Sequence, residues 1–234
     1  MLNERERLLN MLMANKISDK DFKTLSEAIE KEPSQMRRIF SMAVNPFQKI
    51  AGFYSLLIGL IIIVCMSYIG VVAKLFFPGI LSSLNAAVIK NPKAPLNFFM
   101  LLYQNIVCWL VLSVIFIIFA KMFQKKRLRM IDFFGTVALS RFPILILTAF
   151  ISIIQIVNPG FLNINITDGI QFQFSIMMTF FTVIVLSCVI WQIVTYFFAL
   201  RESSGLSGQK LWISFIGSMI IGELVAQQIT TIFL

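Results

Sequence analysis

Two charged residues stand inside apolar stretches of this chain, and they are the first residues whose types could do chemistry. Arg141 lies in the run "LSRFPILIL" and Glu223 lies in the run "IIGELVAQQ". A guanidinium or a carboxylate within a bilayer is unfavourable unless it is paired or solvated, and such residues commonly mark paths for ions or protons. The two residues therefore predict either a buried ion pair between helices or a polar site for a small ion.

The residue types and motifs of the sequence give little support to other kinds of catalytic chemistry. The chain contains no His, which is the commonest metal ligand and general base in proteins. Cys65, Cys108 and Cys188 stand singly in apolar stretches, with the spacing of neither a disulfide framework nor a metal site. The sequence shows no phosphate-binding loop and no zinc-protease motif, and among the apolar stretches only Glu223 could act as the base for a nucleophile. We expect a protein that is not an enzyme and that uses no cofactor and no metal.

The composition indicates which elements must position these residues. Hydrophobic residues make up 58% of the chain and charged residues 13%, and the mean hydropathy is +0.86. Several uncharged runs exceed the roughly 20 residues that a helix needs to cross a hydrocarbon core of about 30 Å. The sequence therefore predicts an all-α, polytopic integral membrane helical bundle. The net charge of +9 then indicates cytoplasmic loops rather than nucleic-acid binding.

Five transmembrane helices are predicted, at about residues 50–73, 98–120, 133–157, 172–200 and 211–234. If the third and fifth enter from the same side, a rise of about 1.5 Å per residue puts Arg141 roughly 12 Å deep and Glu223 roughly 18 Å deep. An extended Arg can span that difference, so we expect the two side chains to pair, directly or through a water or a polar neighbour. Arg141 is also expected to bond a carbonyl that Pro143 frees. The alternative is that Arg141 reaches the lipid headgroups while Glu223 is protonated.

The distribution of basic residues predicts the orientation. Residues 121–132 carry five basic side chains and residues 201–210 add Arg201 and Lys210, whereas residues 158–169 carry none. Because Lys and Arg concentrate in cytoplasmic loops, we expect a cytoplasmic N-terminus and an external or luminal C-terminus. Anionic lipid is the expected partner of the basic cluster on this side, which comprises Arg37, Arg38, Lys121, Lys125, Lys126, Arg127 and Arg129.

The N-terminal region differs in composition from the membrane part. Residues 1–33 predict a short cytoplasmic helical hairpin, whose second helix begins at the S-x-x-[DE] pattern of Ser18 and Asp21. Residues 34–49 predict an amphipathic helix at the membrane interface, and residues 50–234 form the membrane domain. The hairpin is too small for much core of its own, so we expect it to bind a partner, a second copy or the membrane domain. A solvated leader with local helix is the alternative.

Small residues and amides in the predicted spans indicate how the helices pack. Ser55 and Gly59 have the small-xxx-small spacing that lets two helices approach closely, and so have Ser218 and Gly222. The close approach would lie within the bundle or between copies. Three amide side chains are expected to form hydrogen bonds between helices or to line a polar cavity, namely Gln192, Gln227 and Gln228.

A cytoplasmic N-terminal segment followed by five spans, together with two stretches of sequence, resembles the Yip family of membrane proteins, named for interaction with Ypt/Rab GTPases. The first stretch is the basic loop that leads into "FFGTVALSRFPILIL", and the second is "WQIVTYFFALRESSGLSGQKLW". The matching positions are Arg141, Pro143, Trp191, Ala199, Leu200, Gly205, Leu206, Ser207 and Lys210. The long acidic and aromatic N-terminal region of many eukaryotic members is missing, so the resemblance implies a prokaryotic member with a five-span fold and does not imply Rab binding.

Two functions remain open. The first, which the resemblance favours, is a non-enzymatic scaffold or adaptor in the bacterial inner membrane, which binds partners through its cytoplasmic face. The second is a small transporter or channel for ions or small solutes, with Arg141 and Glu223 along its path. The expected partners are membrane lipids and either another protein or a second copy of this chain, without nucleic acid.

Overall fold

The computed structural model describes residues 9, 11–14, 17–18, 21–22, 41–50, 52–73, 97–124, 128–157 and 176–233. In these residues all regular secondary structure is helical, as predicted. The expectations for Arg37, Arg38, Lys125, Lys126 and Arg127 lie outside the described residues.

The described part of the membrane domain contains the helices α1 (Gly52–Ala73), α2 (Phe98–Phe123), α3 (Met130–Leu139), α4 (Phe142–Val157), α5 (Ile176–Ser204) and α6 (Gly208–Phe233). A short 3₁₀ turn, Pro46–Gln48, precedes α1. Because α3 and α4 follow one another as a single apolar segment, the helices provide five segments that are long and apolar enough to cross a membrane. The protein is therefore an integral multi-pass membrane protein, and the predicted five-span helical bundle is confirmed.

The third predicted span is not one continuous helix, since it is divided at Arg141 into α3 and α4. The physical cause is Pro143, which has no N–H to donate to the Leu139 carbonyl and whose ring crowds that carbonyl. The Arg141 N–H closes the first part by donating to the Ala138 carbonyl at 3.3 Å. The Arg141 carbonyl then accepts from the Leu145 N–H at 3.1 Å and begins the second part. The helical ladder is thus interrupted beside the one arginine of the span.

Small residues bring helices into close contact inside the bundle. A Cβ on Gly59 of α1 would collide with the Cβ of Ala138 and would lie 2.7 Å from the backbone nitrogen of Leu139. A Cβ on Gly222 of α6 would lie 2.8 Å from the Leu112 side chain of α2. Both predicted small-residue motifs therefore make close helix contacts within one bundle.

The largest apolar core joins α2, α3, α5 and α6. Phe116 and Phe133 are fully buried in this core, and Leu200 of α5 and Phe215 of α6 belong to the same cluster. The outward faces carry many large apolar side chains, such as Phe180, which is 67% exposed. Such a surface suits contact with lipid chains, which are as apolar as the side chains themselves.

The chain divides into two compact units, Met1–Ala43 and Val44–Leu234. In the first unit the Ser18 hydroxyl accepts a hydrogen bond from the Asp21 N–H at 3.2 Å and donates to the Asp21 carboxylate at 2.7 Å. The Phe22 N–H donates to the Ser18 carbonyl at 2.9 Å, so a helical turn starts where the S-x-x-[DE] pattern predicted it. Residues 9 and 11–13 of the predicted hairpin are helical as well. Most of its other residues, and residues 34–40 of the predicted interfacial helix, lie outside the described residues, and the predicted boundaries at 33 and 49 stay predictions.

Candidate functional site

Arg141 lies in the interior of the bundle at the break between α3 and α4. Only 6% of its surface is exposed. Its Nη1 donates to the backbone carbonyl of Asn105 at 2.7 Å and to the side-chain oxygen of Asn105 at 3.2 Å. The side chain thus extends across to α2 and finds these acceptors there. The expectation that Arg141 also bonds a carbonyl freed by Pro143 stays a prediction.

Asn105 of α2 connects Arg141 to the first span. Its amide nitrogen donates to the Ser67 hydroxyl of α1 at 2.9 Å, and Ser67 donates in turn to the Ile63 carbonyl at 2.8 Å. With its oxygen at Arg141 and its nitrogen at Ser67, the amide has a partner on either side and a single favourable orientation. A line of polar side chains therefore joins α1, α2 and the third span.

The helix α5 supplies a second set of partners. The Tyr196 hydroxyl is hydrogen-bonded to the Arg141 side chain and accepts a bond from the Gln192 amide at 2.9 Å. The Thr195 hydroxyl donates to the Ser140 carbonyl at 3.1 Å. The last contact matters because a break in a membrane helix leaves backbone carbonyls that water cannot reach, and a neighbouring side chain must satisfy them.

Glu223 of α6 borders the same cavity as Arg141. The cavity has a volume of about 30 Å³, and its polar lining consists of Arg141, Glu223, Cys108, Gln192 and Tyr196. An electrostatic interaction links Glu223 with Arg141, and Arg141 is hydrogen-bonded to the Cys108 thiol. The structure thus brings the two predicted charged residues to one cavity that all five spans help to line. A direct ion pair between them stays a prediction.

One donor of Arg141 is left over at this site. Its Nε has no hydrogen-bond partner in the part of the chain that the structure describes. An unsatisfied donor on a buried charged group is unfavourable, so a small polar species in the cavity is its natural partner. One water molecule requires about 10–15 Å³ of such space, and a cavity of about 30 Å³ therefore has room for roughly two.

The cavity combines a permanent cation with a group that can take up a proton. Arg141 does not lose its charge in a protein, whereas Glu223 can be either ionised or neutral. The two residues together carry no net charge when Glu223 is ionised and a charge of one when it is protonated. Within the described ranges, no three His, Cys, Asp or Glu side chains come together as a metal site would need.

At one end of the bundle, which we call the loop end, the described parts of three connecting segments meet, namely residues 44–50, 121–132 and 201–210. The Asn45 amide donates to the Glu202 carboxylate at 3.0 Å, although the two residues are 157 positions apart. A Cβ on Gly205 would lie 3.6 Å from the side-chain nitrogen of Gln124. The two loops that were predicted to be cytoplasmic therefore lie at the same end of the bundle.

Several residues that carry the family resemblance shape the loop end. Gly205 has a φ of +66°, which glycine adopts without strain, and its N–H donates to the last turn of α5 at 2.8 Å. Leu206 beside it is buried, whereas Ser207 and Lys210 are exposed. The glycine therefore ends α5 so that a leucine turns inward and a hydroxyl and an ammonium turn outward.

Two other positions of the resemblance pack around the break. The Trp191 ring meets the Phe142 ring edge to face, with centroids 5.0 Å apart and an angle of 88°. Pro143 is fully buried. These residues therefore support the site through packing.

The predicted basic cluster is described in part. Lys121 and Arg129 are both exposed at the loop end. Arg201 is exposed as well, and its guanidinium lies 5.9 Å from the centroid of the Phe198 ring, within the range of a cation–π contact. Contact of the cluster with lipid stays a prediction.

Sequence reasoning missed several residues of the site, above all Asn105, Ser67 and Tyr196. A signal for Asn105 was present, since Gln104 and Asn105 form an amide pair within an apolar span and amides in membrane helices seek partners on other helices. A single Ser or Tyr carries no such signal, because these residues are common in membrane helices.

Comparison of the chain with family models, curated proteins and solved structures finds no match. The resemblance to the Yip family accordingly stays a prediction.

Proposed function

We propose that this protein is a non-enzymatic membrane scaffold of the Yip type, which binds protein partners through its loop end. The observation that carries the proposal is the contact between Asn45 and Glu202. It joins the segment that leads into the first span to the turn between the last two spans. Because these segments meet, their polar side chains form a common surface that a partner can contact at once.

The exposed charges support a binding role for this surface. The loop end exposes Lys49, Lys121, Arg129, Arg201, Glu202 and Lys210, of which five are positive. Such a surface favours anionic lipid headgroups and acidic segments of a protein partner. By the rule that basic loops stay inside, the loop end faces the cytoplasm together with the N-terminus, and the C-terminus is external. The resemblance to prokaryotic members favours the bacterial inner membrane.

The hydrogen bonds around Arg141 also favour a scaffold. They connect α1 to α2 through Ser67 and Asn105, and they connect α2 and α5 to the third span through Arg141. A network of this kind fixes the helices relative to one another. The helix ends that carry the loops are then held in a constant arrangement, as a binding surface needs.

Site-specific photo-crosslinking in native membranes tests the scaffold proposal. A photoreactive residue at Ser207 on the loop end is compared with one at Val157, which is 79% exposed and lies at the last residue of α4. We expect protein adducts at Ser207 and a different pattern at Val157. The adducts should weaken when Arg201 and Lys210 are replaced by Glu, since opposite charges steer partners together. The same adducts at both positions, or no protein adduct at Ser207, would contradict the proposal.

A second candidate function is the passage of small ions or solutes through the cavity at Arg141. The interrupted third span favours it, because broken helices in membranes occur where the backbone lines a cavity. In liposomes that contain the purified protein, flux of protons or chloride should exceed the flux in empty liposomes. The flux should fall with Glu223→Gln and persist with Glu202→Gln, a carboxylate at the loop end. Equal flux with and without protein counts against passage.

A further inference from the structure

The cavity beside Arg141 has a positive electrostatic potential that the protein groups around Arg141 do not fully compensate. The Nε of Arg141 has no partner among the described residues, although the side chain is only 6% exposed. Arg141 also directly precedes α4, and Ile144 from the first turn of α4 lines the cavity. The N-terminal end of a helix carries partial positive charge and attracts anions. Since the C-terminal end of α3 lies at the same break and carries the opposite partial charge, the guanidinium of Arg141 is the main source of positive potential in this buried space.

Glu223 decides whether an anion can use this potential. When its carboxyl group is ionised, it already neutralises Arg141, and it would repel a second negative charge in the same small space. When it is protonated, the positive charge of Arg141 is no longer balanced, and the neutral carboxyl becomes a hydrogen-bond donor. An anion and a proton therefore favour each other at this site.

We infer that the cavity binds one small monovalent anion, of the size of chloride, together with one proton on Glu223. The size follows from the volume of about 30 Å³, which is the space of roughly two water molecules and excludes a large organic anion. The single charge follows from the single unbalanced guanidinium. The anion contacts the Nε of Arg141, and the amide of Gln192 is a second donor on the wall of the cavity.

The pH dependence of binding involves every titratable or charged group around Glu223. Arg141 faces it from the third span, Cys108 from α2 and Tyr196 from α5. Arg141 stays charged throughout, and the thiol and the phenol are neutral near and below neutral pH in their ordinary ranges. Lowering the pH therefore changes the charge of the cavity through Glu223. Because only the protonated form binds, the apparent Kd for the anion should rise by up to about tenfold per pH unit where Glu223 is mostly ionised.

Thermal unfolding of the full-length protein in detergent tests the inference. The salts are sodium chloride and sodium gluconate at the same ionic strength, each at pH 5 and at pH 8. A ligand that binds the folded state raises Tm. We expect chloride to raise Tm above the gluconate value at pH 5, with a smaller difference at pH 8. The Glu223→Gln variant, which is permanently neutral at this position, should show the chloride effect at both pH values. The matched variant Asp168→Asn, which removes a carboxylate from the predicted external loop, should behave as the wild type.

Calorimetric titration with chloride supplies the second readout. The apparent Kd for chloride should rise from pH 5 to pH 8 in the wild type and stay constant in Glu223→Gln. Arg141→Lys, which keeps the charge but lacks Nε, should weaken binding. If that variant does not fold, the comparison of the wild type with Glu223→Gln still tests the inference. Identical behaviour in chloride and gluconate for both proteins would show that only water occupies the cavity and would overturn the inference, as would a chloride effect in Glu223→Gln that still depends on pH.

The inference shares the cavity with the second candidate function but concerns binding alone. Chloride binding without flux in liposomes would support the inference and count against passage. Flux without a chloride effect on Tm would support passage and count against chloride binding. The crosslinks at Ser207 report on the loop end and are independent of both results.

Discussion

At Arg141 the bundle holds a permanent charge by means of groups that lie on other helices. The acceptors at 2.7 and 3.2 Å both belong to Asn105 of α2, and Tyr196 of α5 adds a further hydrogen bond. Removing one member of such a buried set leaves the others desolvated and unpaired. The loss then exceeds the value of the hydrogen bond itself.

A double-mutant cycle tests the predicted coupling between Arg141 and Glu223. Arg141→Gln and Glu223→Gln should each lower the free energy of unfolding, by about 3–5 kcal/mol if an unpaired charge stays buried. The double variant should recover part of this loss, with a coupling energy of about 0.5–3 kcal/mol. Unfolding in detergent measures all four proteins under the same conditions. If the two losses simply add, the residues are not coupled.

Asn105→Ala should lower the free energy of unfolding by about 1–3 kcal/mol, because it removes one acceptor of Arg141 and leaves the Ser67 hydroxyl without its donor. The backbone carbonyl of residue 105 remains for Arg141, so the fold itself should survive. Gln209→Ala, at an exposed amide of the loop end, is the matched control and should change stability by less than about 0.5 kcal/mol. Similar losses in the two variants would show that the Asn105 amide does not stabilise the bundle.

Arg141, Glu223 and the amide of Gln192 could be predicted for the site from the sequence, whereas the hydroxyl partners Ser67 and Tyr196 could not. Arg141 and Glu223 stand out because charges are rare in apolar runs, and their similar depth follows from the helical rise and the side of entry. Which residues of the other spans face them depends on how each helix is rotated about its axis. That rotation is set by packing, as between Gly59 and Ala138, and a single sequence does not reveal it. Ser67 and Tyr196 were missed for this reason.

At the scale of the helices, two backbone features determine where the site lies. Pro143 ends α3 a few residues before itself, so that Arg141 falls at the break. The close contact between α1 and α3 at Gly59 holds that break against the first span. The existence of the third span could be predicted from its length and hydropathy. Its division into two helices was missed, although proline inside a predicted helix is a known cause of such breaks.

Gly59→Leu should destabilise the bundle because the new side chain would meet the backbone of Leu139, which cannot move aside without displacing α3. Overpacking of this kind typically lowers the free energy of unfolding by about 1–3 kcal/mol. Val64→Leu on the same helix is the control, since Val64 is 46% exposed and its outward position can accept a larger apolar group. The free energy of unfolding in detergent should be lower for Gly59→Leu than for Val64→Leu. Equal stability would show that the helices are not in close contact at Gly59.

For the whole molecule, the predicted orientation combines two observations: which loops lie at the same end of the bundle, and which loops are basic. The polar contact of Asn45 with Glu202 puts the start of the first span and the turn between the last two spans on one side. An odd number of spans then puts the two ends of the membrane domain on opposite sides. The grouping of the loops follows from the structure, whereas their assignment to the cytoplasm rests on the basic residues.

Labelling of single cysteines from either side of the membrane tests this topology. In a background without the three native cysteines, Gln124→Cys at the loop end should react only from the cytoplasmic side. Asn163→Cys, in the predicted external loop, should react only from the outside. The reverse pattern would invert the orientation, and labelling of both positions from the same side would contradict the number of spans.

The location of Arg141 also has a consequence for the order in which the protein is made. The third span leaves the ribosome before α5 and α6, so the nascent chain carries this arginine into the membrane while Tyr196 and Glu223 have not yet been synthesised. An unpaired arginine at the centre of a membrane helix costs about 2.5–3.5 kcal/mol on the scale of insertion experiments. Until the last two spans arrive, the third segment is held in the bilayer less firmly than its hydropathy suggests, with Asn105 as its earliest partner. A chain that stops before Ile176 therefore holds Arg141 with acceptors on α2 alone, and we expect its third segment to insert less completely than that of the full chain.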